Sequence, residues 1–170
     1  MMATFNRFFG FWTNDSKIDE ATGLTERQKK LVQNTWAIIK KDQVASGCAI
    51  MLAYFKKFPE HQQSFPAFKN MPIDQLNNNK KFQAHCAGII ATISTVIDSL
   101  QDFDLLVENV TIFTERHRKR GQTVKSFEDL KPVVAEVLRE ALGKQFTLEV
   151  EEAWNKTLDV FFSKIYEILG

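Results

Sequence analysis

From Thr25 almost to the last residue, apolar positions recur at steps of three and four with polar residues between them, and strand-like alternation is missing. That period predicts an all-α fold. The first core helix is expected to open at Thr25, whose hydroxyl can cap free amides while Gln28 reaches back, with Leu31, Val32, Thr35, Trp36 and Ile39 on one face. A second apolar run, Ala45 to Phe58, carries Met51, Phe55 and Phe58 on one stripe and stops at Pro59. Pro59, Pro66 and Pro72 then forbid a long helix and predict a corner of short turns containing Phe65 and Phe68.

Asn77 to Asn79 form a natural helix start, after which Phe82, His85, Cys86, Ile89, Ile93, Val96 and Leu100 share a face. The next helix repeats Phe103, Leu106, Val110, Phe113 and His117, and Gly121 ends it. Two long helices close the chain, Ser126 to Leu142, bounded by Gly143, and Thr147 to Leu169, with Trp154, Leu158, Phe161, Ile165 and Ile168 facing inward. Pro132 removes a backbone donor from the first of these, so that helix either begins near Asp129 or bends there.

Length and composition narrow the class without naming a function. A chain of 170 residues suits one domain, and 44% hydrophobic with 25% charged residues is the make-up of an ordinary globule. A net charge of +1 gives no electrostatic case for nucleic acid or an anionic bilayer. The longest uncharged stretch, Cys86 to Ile97, falls well short of the ~20 apolar residues of a membrane span, so no transmembrane segment is expected. Residues 1 to 12 read poorly as a secretory signal, and Met2 excludes the usual myristoylation motif, which makes the cytoplasm the expected location. Cys48 and Cys86 are too few for a disulfide scaffold and lack zinc-site spacing. They are expected to be buried reduced thiols, with a disulfide between their crossing helices near Gly47 as the lesser alternative.

Three histidines remain. His61 stands beside Glu60, Gln62 and Gln63 and is expected at the surface, whereas His85 and His117 each lie on an apolar helix face. Imidazole is polar, so two of them facing a core need partners. Backbone carbonyls could serve, as in many helical bundles, and so could a shared metal centre.

The order of motifs decides between these. Phe58-Pro59-Glu60, then Ser64-Phe65-Pro66-Ala67-Phe68, then Phe82-Gln83-Ala84-His85, then Phe113-Thr114-Glu115-Arg116-His117-Arg118, then Ser126-Phe127, Leu142-Gly143, Phe146-Thr147 and Ala153-Trp154 resemble the globin family in sequence from Leu24 to Leu169. The separation of His85 and His117 by 117 − 85 = 32 positions, with no insertion afterwards, is similar to the neuroglobin and cytoglobin branch. The resemblance implies a globin fold of about seven to eight helices around a haem pocket. It divides the chain into an N-terminal extension, 1–23, expected to be flexible, and a globin domain, 24–170.

By the same resemblance the cofactor is haem b, iron protoporphyrin IX, with His117 as the proximal iron ligand and His85 as the distal histidine. Met51, Phe55, Phe65, Phe68, Phe82, Ile89, Phe113, Phe127 and Leu130 are expected on the pocket walls, Phe65 stacked on the haem and Ile89 beside the ligand. Gly88 and Gly121 stand where relatives often offer a basic residue to the propionates, so that role passes to Arg116, Lys119 or Arg120.

The implied partners are diatomic gases (dioxygen, nitric oxide, carbon monoxide), with His85 either hydrogen-bonding the ligand or itself coordinating iron; the second is favoured. A redox enzyme (nitric oxide dioxygenase or nitrite reductase) or a redox or gas sensor is the alternative. It would need a separate reductase, because the sequence carries no flavin or nicotinamide domain. Phe5, Phe8, Phe9 and Trp12 fall on one helical face of the extension and could meet the domain, a partner or a membrane.

Overall fold

A computed structural model describes residues 15–170; the aromatic residues Phe5 to Trp12 of the extension lie outside this range. The described chain forms helices α1 (Glu26–Ile39), α2 (Gln43–Lys57), α3 (Lys80–Asp98), α4 (Phe103–Arg118), α5 (Val124–Leu142) and α6 (Leu148–Leu169). Short 3₁₀ helices at Pro59–Ser64, Ile73–Asn78 and Gly143–Gln145 join them. Among the described residues no helix is long and apolar enough to cross a membrane.

The helix starts follow local chemistry. Thr25 accepts from the Gln28 amide while the Gln28 side chain takes the Thr25 amide, the reciprocal box expected there. Asn79 caps α3 by accepting from the amides of Lys81 and Phe82. The helix carrying Pro132 begins neither at Ser126 nor near Asp129 but at Val124, where Thr123 and Ser126 form a second capping box. It runs through Pro132, whose ring is exposed. The backbone bond that proline removes would have ended on Glu128, itself exposed, so water can satisfy the freed carbonyl.

Packing splits the core in two. The larger cluster joins Val32, Trp36, Ile90, Ile97, Leu106, Val110, Trp154, Leu158 and Ile165. Its tryptophans stand 5.8 Å apart, and their indole N–H groups donate to Ser94 Oγ at 2.8 Å and Thr35 Oγ1 at 3.0 Å. Ile90 and Ile97 belong here, one position beyond the stripe through Ile89, Ile93 and Val96. The smaller cluster joins Cys48, Met51, Tyr54, Phe55, Phe68, Leu76, Phe82 and Cys86 where α2 crosses α3. Both cysteines are buried free thiols, so the disulfide alternative is not realised. At that crossing a Cβ on Gly47 would fall 2.1 Å from the Cys86 carbonyl oxygen.

Ahead of Leu24, the described part of the polar lead-in is tied to the domain. Lys29, whose side chain is only 4% exposed, meets Asp19 at 2.7 Å, and Asp19 also accepts from the Ala21 amide and the Thr22 hydroxyl. The hydrogen bond from Lys29 holds the Asp19 carboxyl below its ordinary value of 3.8.

Three outcomes follow from this packing. Gly47→Ala should cost about 3 kcal/mol or more of unfolding free energy in urea, because backbone must give way. Gly88→Ala, on the facing helix with nothing within 4 Å, should instead gain about 0.5–1 kcal/mol. Asp19→Asn should lose about 1 kcal/mol at neutral pH. Because the folded carboxyl is depressed, its stabilisation is complete above pH 3.8 and drains away as pH falls through the lower folded value. Acid titration of the variant and wild-type melting curves should therefore show them converging.

Candidate functional site

Between the two clusters lies an apolar crevice that opens to solvent, with ≈ 740 Å³ of empty space including its mouth. Helix α2 brings Met51 and Tyr54 to it, the corner brings Phe65, and α3 brings His85, Thr92, Ile89 and Ile93. From the other side α4 supplies Phe113 and His117, and α5 supplies Ser126, Phe127, Leu130 and Val134. Gln122 and, from α6, Leu158, Phe161 and Phe162 complete the lining. Eight of the residues expected at the site thus meet on one surface: Met51, Phe65, His85, Ile89, Phe113, His117, Phe127 and Leu130.

Phe55, Phe68 and Phe82 are not part of that surface. They sit behind Phe65 as a buttress: Phe68 stacks on Phe65 at 5.1 Å, Phe55 meets it edge-on at 5.3 Å, and Phe82 meets Phe68 edge-on at 5.3 Å. The lining residues missed in the sequence are mostly one helical turn from those identified: Tyr54 after Met51, Ile93 after Ile89, Val134 after Leu130. Extending those stripes by three or four positions would have found these three, but not Gln122 or Leu158, Phe161 and Phe162 of α6.

The hydroxyl groups in the wall spend their hydrogen bonds on the protein itself. Tyr54 donates to the Ser126 carbonyl at 2.8 Å, and burial suppresses its ionisation. Thr92 donates to the Gly88 carbonyl, and the Ser126 hydroxyl serves the Thr123 cap. His117 is anchored by its Nδ1, which lies 2.9 Å from the Phe113 carbonyl. A carbonyl only accepts, so Nδ1 carries the proton and Nε2 keeps a free lone pair. Among the described residues the His85 ring makes no hydrogen bond; it rests edge-on against Phe65 at 5.2 Å and beside Phe68 at 6.1 Å.

Both rings are held neutral. Burial above all, then the neighbouring His117 ring, which cannot share a positive charge with it, and the Arg120 guanidinium pull His85 down to about 4. Burial also lowers His117, against the upward pull of the Phe113 carbonyl, and Arg120 and Arg116 lower it further. Two neutral imidazoles with available nitrogen in an apolar crevice are a donor set for a borderline transition metal. At the mouth the walls become polar: Thr92, Thr95, Asn109, Arg116 and Arg120 surround an opening shared with His85 and His117. Of the three cations named for an anionic edge, Arg116 and Arg120 stand there, and Lys119 does not line it. The residues present therefore fit a largely apolar, iron-bearing macrocycle with acidic arms.

His61 departs from its expected surface place. Its side chain is 12% exposed, its ring stacks on Tyr54 at 5.0 Å and 10°, and its Nε2 lies 2.8 Å from Asp129 Oδ2. Its polar neighbours in sequence misled, since Gln62 is buried too, its amide donating to the carbonyls of Phe68 and Met71.

Known proteins share this fold and sequence pattern. Cytoglobin-1 of Oryzias latipes is 27% identical over 158 residues, covering 90% of this chain and 89% of that protein. Among solved structures, the hexacoordinated haem protein of an anhydrobiotic tardigrade shares the fold with a TM-score of 0.83 at 22% identity, over 89% of this chain and 98% of its own. The hexa-coordinate haemoglobin of Drosophila melanogaster, 30% identical, gives a TM-score of 0.78 over 84% of this chain and 94% of its own. The Globin family pattern itself matches residues 49–165, and the chain belongs to the globin family.

Proposed function

We propose that this globin holds one haem b in the crevice between α3 and α4 and binds diatomic gases there, with two histidines on the iron when no gas is present. The observation that carries this is the pair of neutral imidazoles facing one apolar cavity, one oriented by a backbone carbonyl and the other free of hydrogen bonds among the described residues. His117 is the fixed ligand: the bond from Nδ1–H to Phe113 sets its tautomer and aims Nε2 inward. His85 is the exchangeable one, available either to coordinate or to donate a hydrogen bond to a bound gas. The iron supplies reversible coordination of the gas, and the apolar walls exclude water from it. Arg116 and Arg120 take the propionates, whose two negative charges complement the guanidinium groups at the mouth.

The hexacoordinate relatives in tardigrade and fly support the six-coordinate form. Competition from His85 lowers the apparent gas affinity by the fraction of molecules in which the sixth position is open. That tuning fits handling or sensing of nitric oxide and oxygen better than bulk oxygen transport.

An optical spectrum of the purified ferrous protein without added gas should show sharp, split visible bands. A single broad band would refute coordination by His85. Haem transfer to an excess of apomyoglobin separates the two roles. His117→Ala should lose haem about tenfold faster or more than His85→Ala, and equal rates would reverse or abolish the assignment of fixed and exchangeable ligands.

A further inference from the structure

Beside the crevice, Glu60, His61 and Asp129 bring ligand atoms within 4.8 Å of one another. The cluster already contains its cation, because the Lys125 ammonium sits on Asp129 Oδ1 while His61 occupies Oδ2. Asp129 is buried, with 8% of its side chain exposed. Burial alone would push its carboxyl up, yet Lys125 and His61 together hold it below the ordinary carboxylate value.

What the pair fastens is the 3₁₀ corner Pro59–Ser64. On one side His61 ties it to α5 and stacks on Tyr54 of α2. On the other, Gln62 donates to Phe68 at 2.9 Å and to Met71 at 2.8 Å. The corner ends at Phe65, whose amide bonds the Gln62 carbonyl and whose ring meets His85 edge-on. His85 itself has no hydrogen bond among the described residues, so packing against Phe65 and Phe68 is what restrains its ring.

We infer that the buried His61–Asp129 pair is a positioning device for His85. It pins the corner that presents Phe65, and so sets how readily the distal imidazole leaves its place beside the iron. This rests on the proposed role of His85 as a partner of the haem. His61 and Asp129 touch neither cofactor nor gas; they act through Phe65, and loosening them frees His85 to move.

The test uses the ferrous holoprotein, mixed rapidly with carbon monoxide so that departure of His85 limits binding. His61→Phe keeps a flat ring on Tyr54 but loses the N–H to Asp129, whereas His61→Gln keeps a donor. Binding in His61→Phe should speed up about threefold or more, with His61→Gln close to wild type. Should His61→Phe fail to fold, as its melting curve would reveal, Asp129→Asn supplies the same readout by weakening the pair from the other side. Unchanged rates in a folded variant, or an equal acceleration in a His85→Ala background, would overturn the inference. A five-coordinate wild-type spectrum would instead sink six-coordination. The pair is then read from the oxygen dissociation rate, which reports a hydrogen bond from His85: faster release in His61→Phe upholds the positioning role, and an unchanged rate overturns it.

Discussion

The approach of α2 to α3 is the constraint on which the distal half of the molecule depends. The helices can cross this closely only because residue 47 has no side chain to strike the Cys86 carbonyl. His85 directly precedes Cys86, and Met51 lies one turn beyond Gly47. The same contact that seals Cys48, Cys86, Phe55 and Phe82 into a dry cluster therefore places a thioether and an imidazole on the wall of one cavity. A bulkier residue at 47 would displace His85 along with the helix that carries it.

Polar economy within that frame gives the cavity its character. Each indole N–H finds a hydroxyl, the Tyr54 phenol finds a carbonyl, and the wall hydroxyls of Thr92 and Ser126 are satisfied by groups of their own or adjoining turns. Charges are kept to the mouth, where Arg116 and Arg120 stand, and to Asp129, which is compensated by Lys125 and His61. An apolar interior with basic residues only at its edge suits a flat hydrophobic cofactor with acidic arms, and it keeps both imidazoles neutral through desolvation.

Helical period and capping chemistry made most of the architecture legible: Thr25 caps α1 through its hydroxyl, and Asn79, the last of the three asparagines expected to start a helix, caps α3. The period is less informative where a helix is covered on more than one side. In α3, Ile89 and Ile93 line the cavity while Ile90 and Ile97 fill the larger core, so one stripe could not describe both faces. Pro132 misled because its cost depends on which side of the helix loses its bond, and composition does not report exposure. His61 and Gln62 misled for a related reason. A polar residue inside a corner of short turns is buried when backbone carbonyls and a distant carboxylate meet it, and Asp129 lies 68 positions away in sequence. Phe55, Phe68 and Phe82 were correctly read as apolar and inward, but whether an aromatic ring touches a cofactor or supports one that does is settled by tertiary packing alone.

The two central histidines differ in how they are held, and that difference gives a physical basis for a division of labour. His117 is tied by a 2.9 Å hydrogen bond to the helix that bears it and packed on Phe113 at 4.1 Å, so its orientation is fixed by backbone. His85 makes no hydrogen bond among the described residues, and the rings of Phe65 and Phe68 that pack against it belong to a corner held by side-chain hydrogen bonds rather than by a long helix. A ring oriented by a backbone carbonyl is suited to permanent attachment, since turning it away means breaking that hydrogen bond. A ligand restrained by packing can swing through rotamer change at far smaller cost. The position proposed as exchangeable therefore falls on the side of the cavity where the fold is built from short turns and aromatic contacts.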